Sequence, residues 1–127
     1  MNKENLKDKI SKASYIVTQE HGTEAPFSGE LLDTKEEGIF TCVCCGNELF
    51  SSDTKYDSGT GWPSFWDVLN ENSVGEEIDK SHGMIRTEVH CQKCNAHLGH
   101  FFPDGPMPTG KRYCMNSVAM QFKKSDK

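Results

Sequence analysis

At 127 residues, 35% hydrophobic and 26% charged, the chain suits one folded domain with a modest core and is too apolar to stay disordered. Lys and Arg number 14 against 19 Asp and Glu, and the net charge of −5 speaks against nucleic acid, whose binding is driven by neutralising phosphates. Apolar runs are only a few residues long and residues 1–12 alternate charge with isolated apolar side chains, so neither a membrane span nor a secretory signal is expected.

In chain order, residues 5–13 suit a short helix with Leu6 and Ile10 on one face at a spacing of four. From Tyr15 onwards Gly22, Pro26, Gly29, Gly38, Gly46, Gly59, Gly61 and Pro63 come too often for long helices. Strand-like pieces lie between and beyond them at 39–43, 48–50, 84–90, 96–102 and 112–122, the last with a break inside it. Residues 66–69 suit a single helical turn. The expectation is a mainly β, antiparallel domain. It spans 1–127, with 1–13 a helical extension and about 15–122 the body of the fold.

Six cysteines are spread over three places. Cys42-Val43-Cys44-Cys45-Gly46 and Cys91-Gln92-Lys93-Cys94-Asn95 each hold two thiols three positions apart. Such a turn aims both sulfurs at one point, and two turns supply four thiolates, the tetrahedral set that zinc takes. Gly46 and Asn95 tolerate the positive φ of a tight corner. The alternative for either pair is a redox-active Cys-x-x-Cys. With 45 residues between the pairs, zinc on Cys42, Cys45, Cys91 and Cys94 would clamp two distant hairpins. A closed four-sulfur site has no open position, so that metal would be structural, and Cys44 a spare thiol.

Asp57-Ser58-Gly59-Thr60-Gly61-Trp62-Pro63-Ser64-Phe65-Trp66 is too rich in Gly and Pro for a regular element. Trp62, stiffened by Pro63, closes the core or walls a small ligand. His97-Leu98-Gly99-His100 offers two imidazoles, the natural proton donors near neutral pH. In a regular strand they face opposite sides, and Gly99 is where a bulge would re-aim one.

Arg112-Tyr113-Cys114-Met115-Asn116-Ser117 reads as a strand, in which Arg112, Cys114 and Asn116 share one face. A free cysteine titrates near ~8.5, and a neighbouring guanidinium favours the thiolate, the form that attacks. The plain alternative is a small buried hydrophobe. Arg112 and Asn116 on the same face argue against it, since each would then need a buried partner.

With these pieces the chain resembles the methionine-R-sulfoxide reductases, the B-type enzymes. The resemblance rests on Tyr15-Ile16-Val17-Thr18-Gln19, Thr23-Glu24-Ala25-Pro26-Phe27, Ser58-Gly59-Thr60-Gly61-Trp62-Pro63-Ser64-Phe65 and Ser81-His82-Gly83-Met84-Ile85-Arg86-Thr87-Glu88-Val89. His97-Leu98-Gly99-His100, Phe102-Pro103-Asp104-Gly105-Pro106 and the Cys114 strand complete it, in family order. It implies two small antiparallel sheets and a structural zinc on Cys42, Cys45, Cys91 and Cys94, far from the reactive cysteine. It implies Cys114 as nucleophile and Trp62 as the residue that holds the substrate's methyl group. His97, His100, Phe102, Asp104, Arg112 and Asn116 match positions that line or order the site. The implied reaction reduces the R epimer of methionine sulfoxide, peptide-bound or free, in a cytoplasmic monomer that repairs oxidised proteins. A thioredoxin- or glutaredoxin-type thiol would supply the electrons, with no bound organic cofactor. Where many members carry a recycling cysteine, this chain has Thr60.

The rival from another class is a zinc-dependent interaction module on the same scaffold, which leaves Cys114 and the histidine pair without a purpose. A zinc deaminase would need a His-x-Glu before a Pro-Cys-x-x-Cys, and the sequence has neither.

Overall fold

Gly-rich corners and short alternating runs dictate strands too short to stand alone, and they are stacked as two antiparallel sheets. The structure, a computed structural model, describes residues 10–20, 22–80 and 85–124. Helix α1 (Lys12–Glu20) is followed by β1 (Gly38–Cys42), β2 (Glu48–Ser51), β3 (Lys55–Tyr56), β4 (Ser64–Phe65) and β5 (Val74–Asp79). Then come β6 (Arg86–Cys91), β7 (His97–Phe102), β8 (Arg112–Met115) and β9 (Met120–Lys124). One sheet runs β2-β1-β9 and the other β3-β4-β8-β7-β6-β5, with every pairing antiparallel. The mainly β expectation and the two sheets are borne out.

Most of the helix expected at 5–13 lies outside the described residues, as does the start of the strand expected at 84–90. The helix that is described begins at Lys12, where Ser11 caps it through the Ser14 amide at 3.1 Å. Its β-branched run Ile16-Val17-Thr18 is a poor helix former, and burial of Val17 and Thr18 against the domain overrides that propensity. The turn expected at 66–69 does not form. Its amides donate elsewhere, Trp66 to the Thr54 carbonyl at 3.0 Å and Leu69 to the Leu49 carbonyl at 3.0 Å. The break in 112–122 is real: a 3-10 turn over Ser117–Ala119 separates β8 from β9.

Between the sheets lies an aromatic core. Phe50 of β2 stacks on Phe65 of β4 at 4.3 Å, and Phe40 of β1 meets Phe65 edge-on at 5.0 Å. Phe50 also touches Tyr113 of β8 at 5.6 Å. Such pairs add about 0.5–1.5 kcal/mol each beyond the area they bury. Because side chains alternate along a strand, sending Tyr113 and Met115 into this core turns Arg112 and Cys114 to the opposite face of the larger sheet. The packing of β8 therefore decides where the thiol points.

Candidate active site

On that opposite face β8 lies between β4 and β7, and Cys114 is registered against Ser64 on one side and His100 on the other. Directly opposed residues share a face, so hydroxyl, thiol and imidazole form a row across three strands. Two positions along, Arg112 is registered against Phe102, and its guanidinium lies over the Phe102 ring at 4.2 Å from the centroid. Arg112 Nε donates to Asp104 Oδ1 at 2.8 Å and Nη2 to Oδ2 at 3.2 Å, a two-pronged bond that fixes the planar cation beside the thiol. Arg112 in turn holds the exposed Asp104 carboxyl below its ordinary range.

The roof comes from the aromatic loop and from Thr23 and Glu24. Trp62 Nε1 donates to the Glu24 carbonyl at 3.0 Å, and the Glu24 amide donates to Asn116 Oδ1 at 2.9 Å. Asn116 Nδ2 donates to the Leu98 carbonyl at 2.9 Å, so indole and carboxamide are fixed from both sides. Thr60 Oγ1 lies 3.8 Å from Cys114 Sγ. These groups enclose a cavity of about 140 Å³, lined by Trp62, His100, Phe102, Arg112, Cys114 and Asn116, and also by Thr23, Thr60 and Arg86. Pockets that take a whole small ligand run to about 300–1,000 Å³, so this one suits a single side chain.

Of the residues expected at the catalytic site, Cys114, His100, Arg112, Asn116, Trp62 and Phe102 line the cavity, while His97 and Asp104 contact it through His100 and Arg112. A register shift in the β6–β7 pairing at Val89/His90 lets His97 and His100 lie on neighbouring ground, ring to ring at 5.5 Å. His97 Nδ1 is 2.8 Å from Glu88 Oε1 of β6, which sets the ring's orientation. The bulge expected next to Gly99 is thus present. A Cβ on Gly99 would come within 2.1 Å of the Cys114 carbonyl oxygen, so β7 approaches β8 closely only because that position is glycine. Sequence reasoning missed Arg86, Glu88 and Glu24, all three inside quoted motifs but with no pattern of their own. It also treated 57–66 as wholly irregular, whereas Ser64–Phe65 forms β4, because pairing with Tyr113 and Cys114 outweighs the local Gly and Pro.

The expectation of a thiol tilted towards thiolate needs correction. Burial pushes the Cys114 thiol above its ordinary value, and it outweighs the downward pull of the Thr60 hydroxyl, the Arg112 charge and the Ser64 hydroxyl. Arg112 therefore offsets part of a desolvation penalty rather than activating an exposed thiol. Alkylation of Cys114 should accelerate as pH rises, since the thiolate gains population up to and beyond the ordinary thiol range. Arg112→Ala removes a lowering influence and should slow alkylation at pH 7. Iodoacetamide rates across pH check this, and an unchanged or faster rate in the variant would contradict it.

The second cluster is built at two corners. In the β1–β2 turn the Gly46 amide donates to the Cys42 carbonyl at 2.9 Å, with Gly46 at φ 79°. In the β6–β7 turn the Asn95 amide donates to the Cys91 carbonyl at 2.8 Å, with Asn95 at φ 63°. The matching knuckles bring the sulfurs of Cys42, Cys45, Cys91 and Cys94 within 4.8 Å of one another. Cys42–Cys94 and Cys45–Cys91 are each 3.6 Å apart. Four sulfurs about 2.3 Å from one centre lie roughly 3.8 Å apart in a tetrahedron, so the four are positioned to bind a metal. The crowding of Cys42 by the sulfurs of Cys44, Cys91 and Cys94, with burial, pushes its thiol far up, a penalty that a bound cation would reverse. Cys44 is buried beside the cluster, where Gln19 Nε2 donates to its sulfur at 3.5 Å. Among the described residues no helix is long and apolar enough to cross a membrane.

Fold and cavity together define a small β enzyme whose cleft is built around one cysteine, with a four-sulfur metal clamp at the turns. The SelR domain family matches residues 10–124. A peptide methionine sulfoxide reductase MsrB from Hahella chejuensis is 55% identical over 94% of this chain and 86% of its own length. An Escherichia coli MsrB is likewise 55% identical, over 94% of this chain and 87% of its own. A solved Mis18 "Yippee-like" domain shares the fold at a TM-score of 0.57 and 20% identity, covering 72% of this chain and all of that one. The chain belongs to the SelR family, the B-type methionine sulfoxide reductases, and is an oxidoreductase that reduces methionine sulfoxide. The reading as a mere interaction module falls away.

Proposed function

We propose that the chain reduces the R epimer of methionine sulfoxide through a sulfenic acid on Cys114, with His100 as proton donor. The observation that carries this is the His100–Cys114 pairing across β7 and β8 at the floor of a cavity sized for one side chain. A sulfoxide oxygen leaves sulfur poorly unless protonated. The Cys114 thiolate attacks the sulfoxide sulfur while the His100 imidazolium gives its proton to the oxygen. The attack forms a sulfur–sulfur bond, and the protonated oxygen then passes to the Cys114 sulfur as the sulfur–oxygen and sulfur–sulfur bonds break, so that methionine departs two electrons richer and Cys114 is left as –SOH. His97, held by Glu88, supports the His100 ring rather than touching substrate. Trp62 takes the methyl group beside Phe102, while His100 and Asn116 take the oxygen side, and this division selects one epimer.

An external dithiol of the thioredoxin or glutaredoxin type then removes the oxygen as water and leaves as its disulfide. The four-sulfur site holds a structural zinc. The protein acts as a cytoplasmic monomer that repairs oxidised proteins, its catalytic unit about 15–122 of a single domain and residues 1–13 an extension. Thr60 supports the external route, since its hydroxyl stands 3.8 Å from Cys114 Sγ and cannot form a disulfide.

Two measurements test the reading. R- and S-sulfoxides assayed side by side with dithiothreitol should show turnover of R alone, and equal consumption would sink it. One equivalent of substrate without reductant should add one oxygen to Cys114 by intact mass. Thr60→Cys should instead show the loss of two hydrogens, as the new thiol attacks the sulfenic acid and expels water. A Cys44–Cys114 disulfide in the unmutated chain would overturn the external route.

A further inference from the structure

The cavity takes one side chain, so the rest of an oxidised protein must lie outside it. We infer that the groove between Phe27 and the edge strand β3 holds the extended main chain next to the methionine sulfoxide. The inference rests on the reading that Cys114 reduces that sulfoxide. Phe27 is 71% exposed, an unusual setting for a large aromatic, and its backbone sits at φ 63°, where the Cβ of any residue but glycine crowds the main chain. The domain holds it there: the Phe27 amide donates to the Gly61 carbonyl at 2.7 Å, and the ring lies so close over Gly61 that a Cβ there would come within 2.8 Å of it. Gly61 precedes Trp62, whose indole walls the cavity, so the exposed ring packs on the loop one residue from that wall.

Beyond Gly61 the groove encloses about 580 Å³, with Phe27, Leu32 and Tyr56 as its apolar surface. One wall is the two-residue β3, the end strand of the larger sheet, whose outer side pairs with no strand among the described residues and whose Lys55 amide donates to the Ser52 carbonyl. Apolar surface beside a strand edge receives the alternate side chains of an extended chain, whatever its sequence. The charges in the groove agree. Asp33 and Asp57 balance Lys35 and Lys55, with Lys55 Nζ committed to the Leu32 carbonyl at 2.6 Å and Asp57 to the Gly59 amide at 3.0 Å. The occupant is therefore an unfolded stretch of oxidised polypeptide, chosen for extension and apolar side chains rather than charge.

The test compares the R epimer of N-acetyl methionine sulfoxide with a long synthetic peptide carrying one central R-sulfoxide. Phe27→Ala keeps the strained backbone and Phe27→Gly relieves it, but both remove the ring. Each should lower kcat/KM for the peptide about tenfold, through KM, while the small substrate changes less than about twofold. An equal loss on both substrates in Phe27→Gly, or an unchanged peptide KM, would overturn the docking groove. Failure of the unmutated protein to reduce the small R-sulfoxide would instead overturn the reading of Cys114 on which the groove depends.

Discussion

Cys114→Ser should abolish turnover, by about 10⁴-fold or more, while the fold and any bound metal survive. The substitution exchanges sulfur for oxygen in a half-buried position, with Ser64 and Thr60 already placed to hydrogen-bond a hydroxyl. Packing therefore changes little, and Tyr113 and Met115 still anchor β8 in the core. The chemistry changes entirely. A serine hydroxyl is scarcely ionised near neutral pH, and in the proposed mechanism His100 gives a proton rather than taking one. Steady-state assay, circular dichroism and metal content together check the result. Activity surviving in a well-folded Cys114→Ser protein would mean that the oxygen is accepted elsewhere, and the floor of the cavity would lose its assigned role.

What could be foreseen from the chain follows from the range of the forces involved. Arg112, Cys114 and Asn116 were legible because strand alternation is local, and the two knuckles because four sulfurs at matched spacings have few other uses. The loop around Trp62 showed its glycines and stiff Trp-Pro step. It could not show that Ser64 and Phe65 pair with Cys114 and Tyr113, since that contact joins residues far apart in sequence. Glu88 and Glu24 were opaque for the same reason: one is an ordinary strand carboxylate until β7 brings His97 to it, the other a loop residue until Trp62 and Asn116 close on its backbone. The sign of the Cys114 shift was also beyond the sequence. Alternation told that Arg112 would stand near the thiol, but the depth of burial that outweighs it depends on the roof built by two distant loops.

Cys91→Ser should unfold the domain or lower its melting temperature by more than about 10 °C, with loss of one equivalent of zinc. Structural zinc in a four-cysteine site supplies about 10–16 kcal/mol of apparent binding free energy, while a domain of this kind is stable by only about 5–15 kcal/mol. Cys91 is fully buried at the end of β6, and its sulfur stands 3.6 Å from that of Cys45 in the other knuckle. The clamp therefore ties the β1–β2 turn of the smaller sheet to the β6–β7 turn of the larger one. Removing one thiolate leaves three sulfurs, an open position and a buried hydroxyl in place of a closed site. The consequence should reach the cavity, because β6 carries Arg86 and Glu88 and β7 carries His97 and His100 away from that same turn. Cys44→Ser is the control: its sulfur lies beside the four rather than among them, and the variant should keep the metal and most of the stability. If Cys91→Ser does not fold, the unmutated protein still decides the matter. Titration with a thiol-modifying mercurial should release one zinc per chain as four thiols react. A full equivalent of zinc in folded Cys91→Ser protein, or no zinc released from the unmutated chain, would remove the metal from the account of this fold.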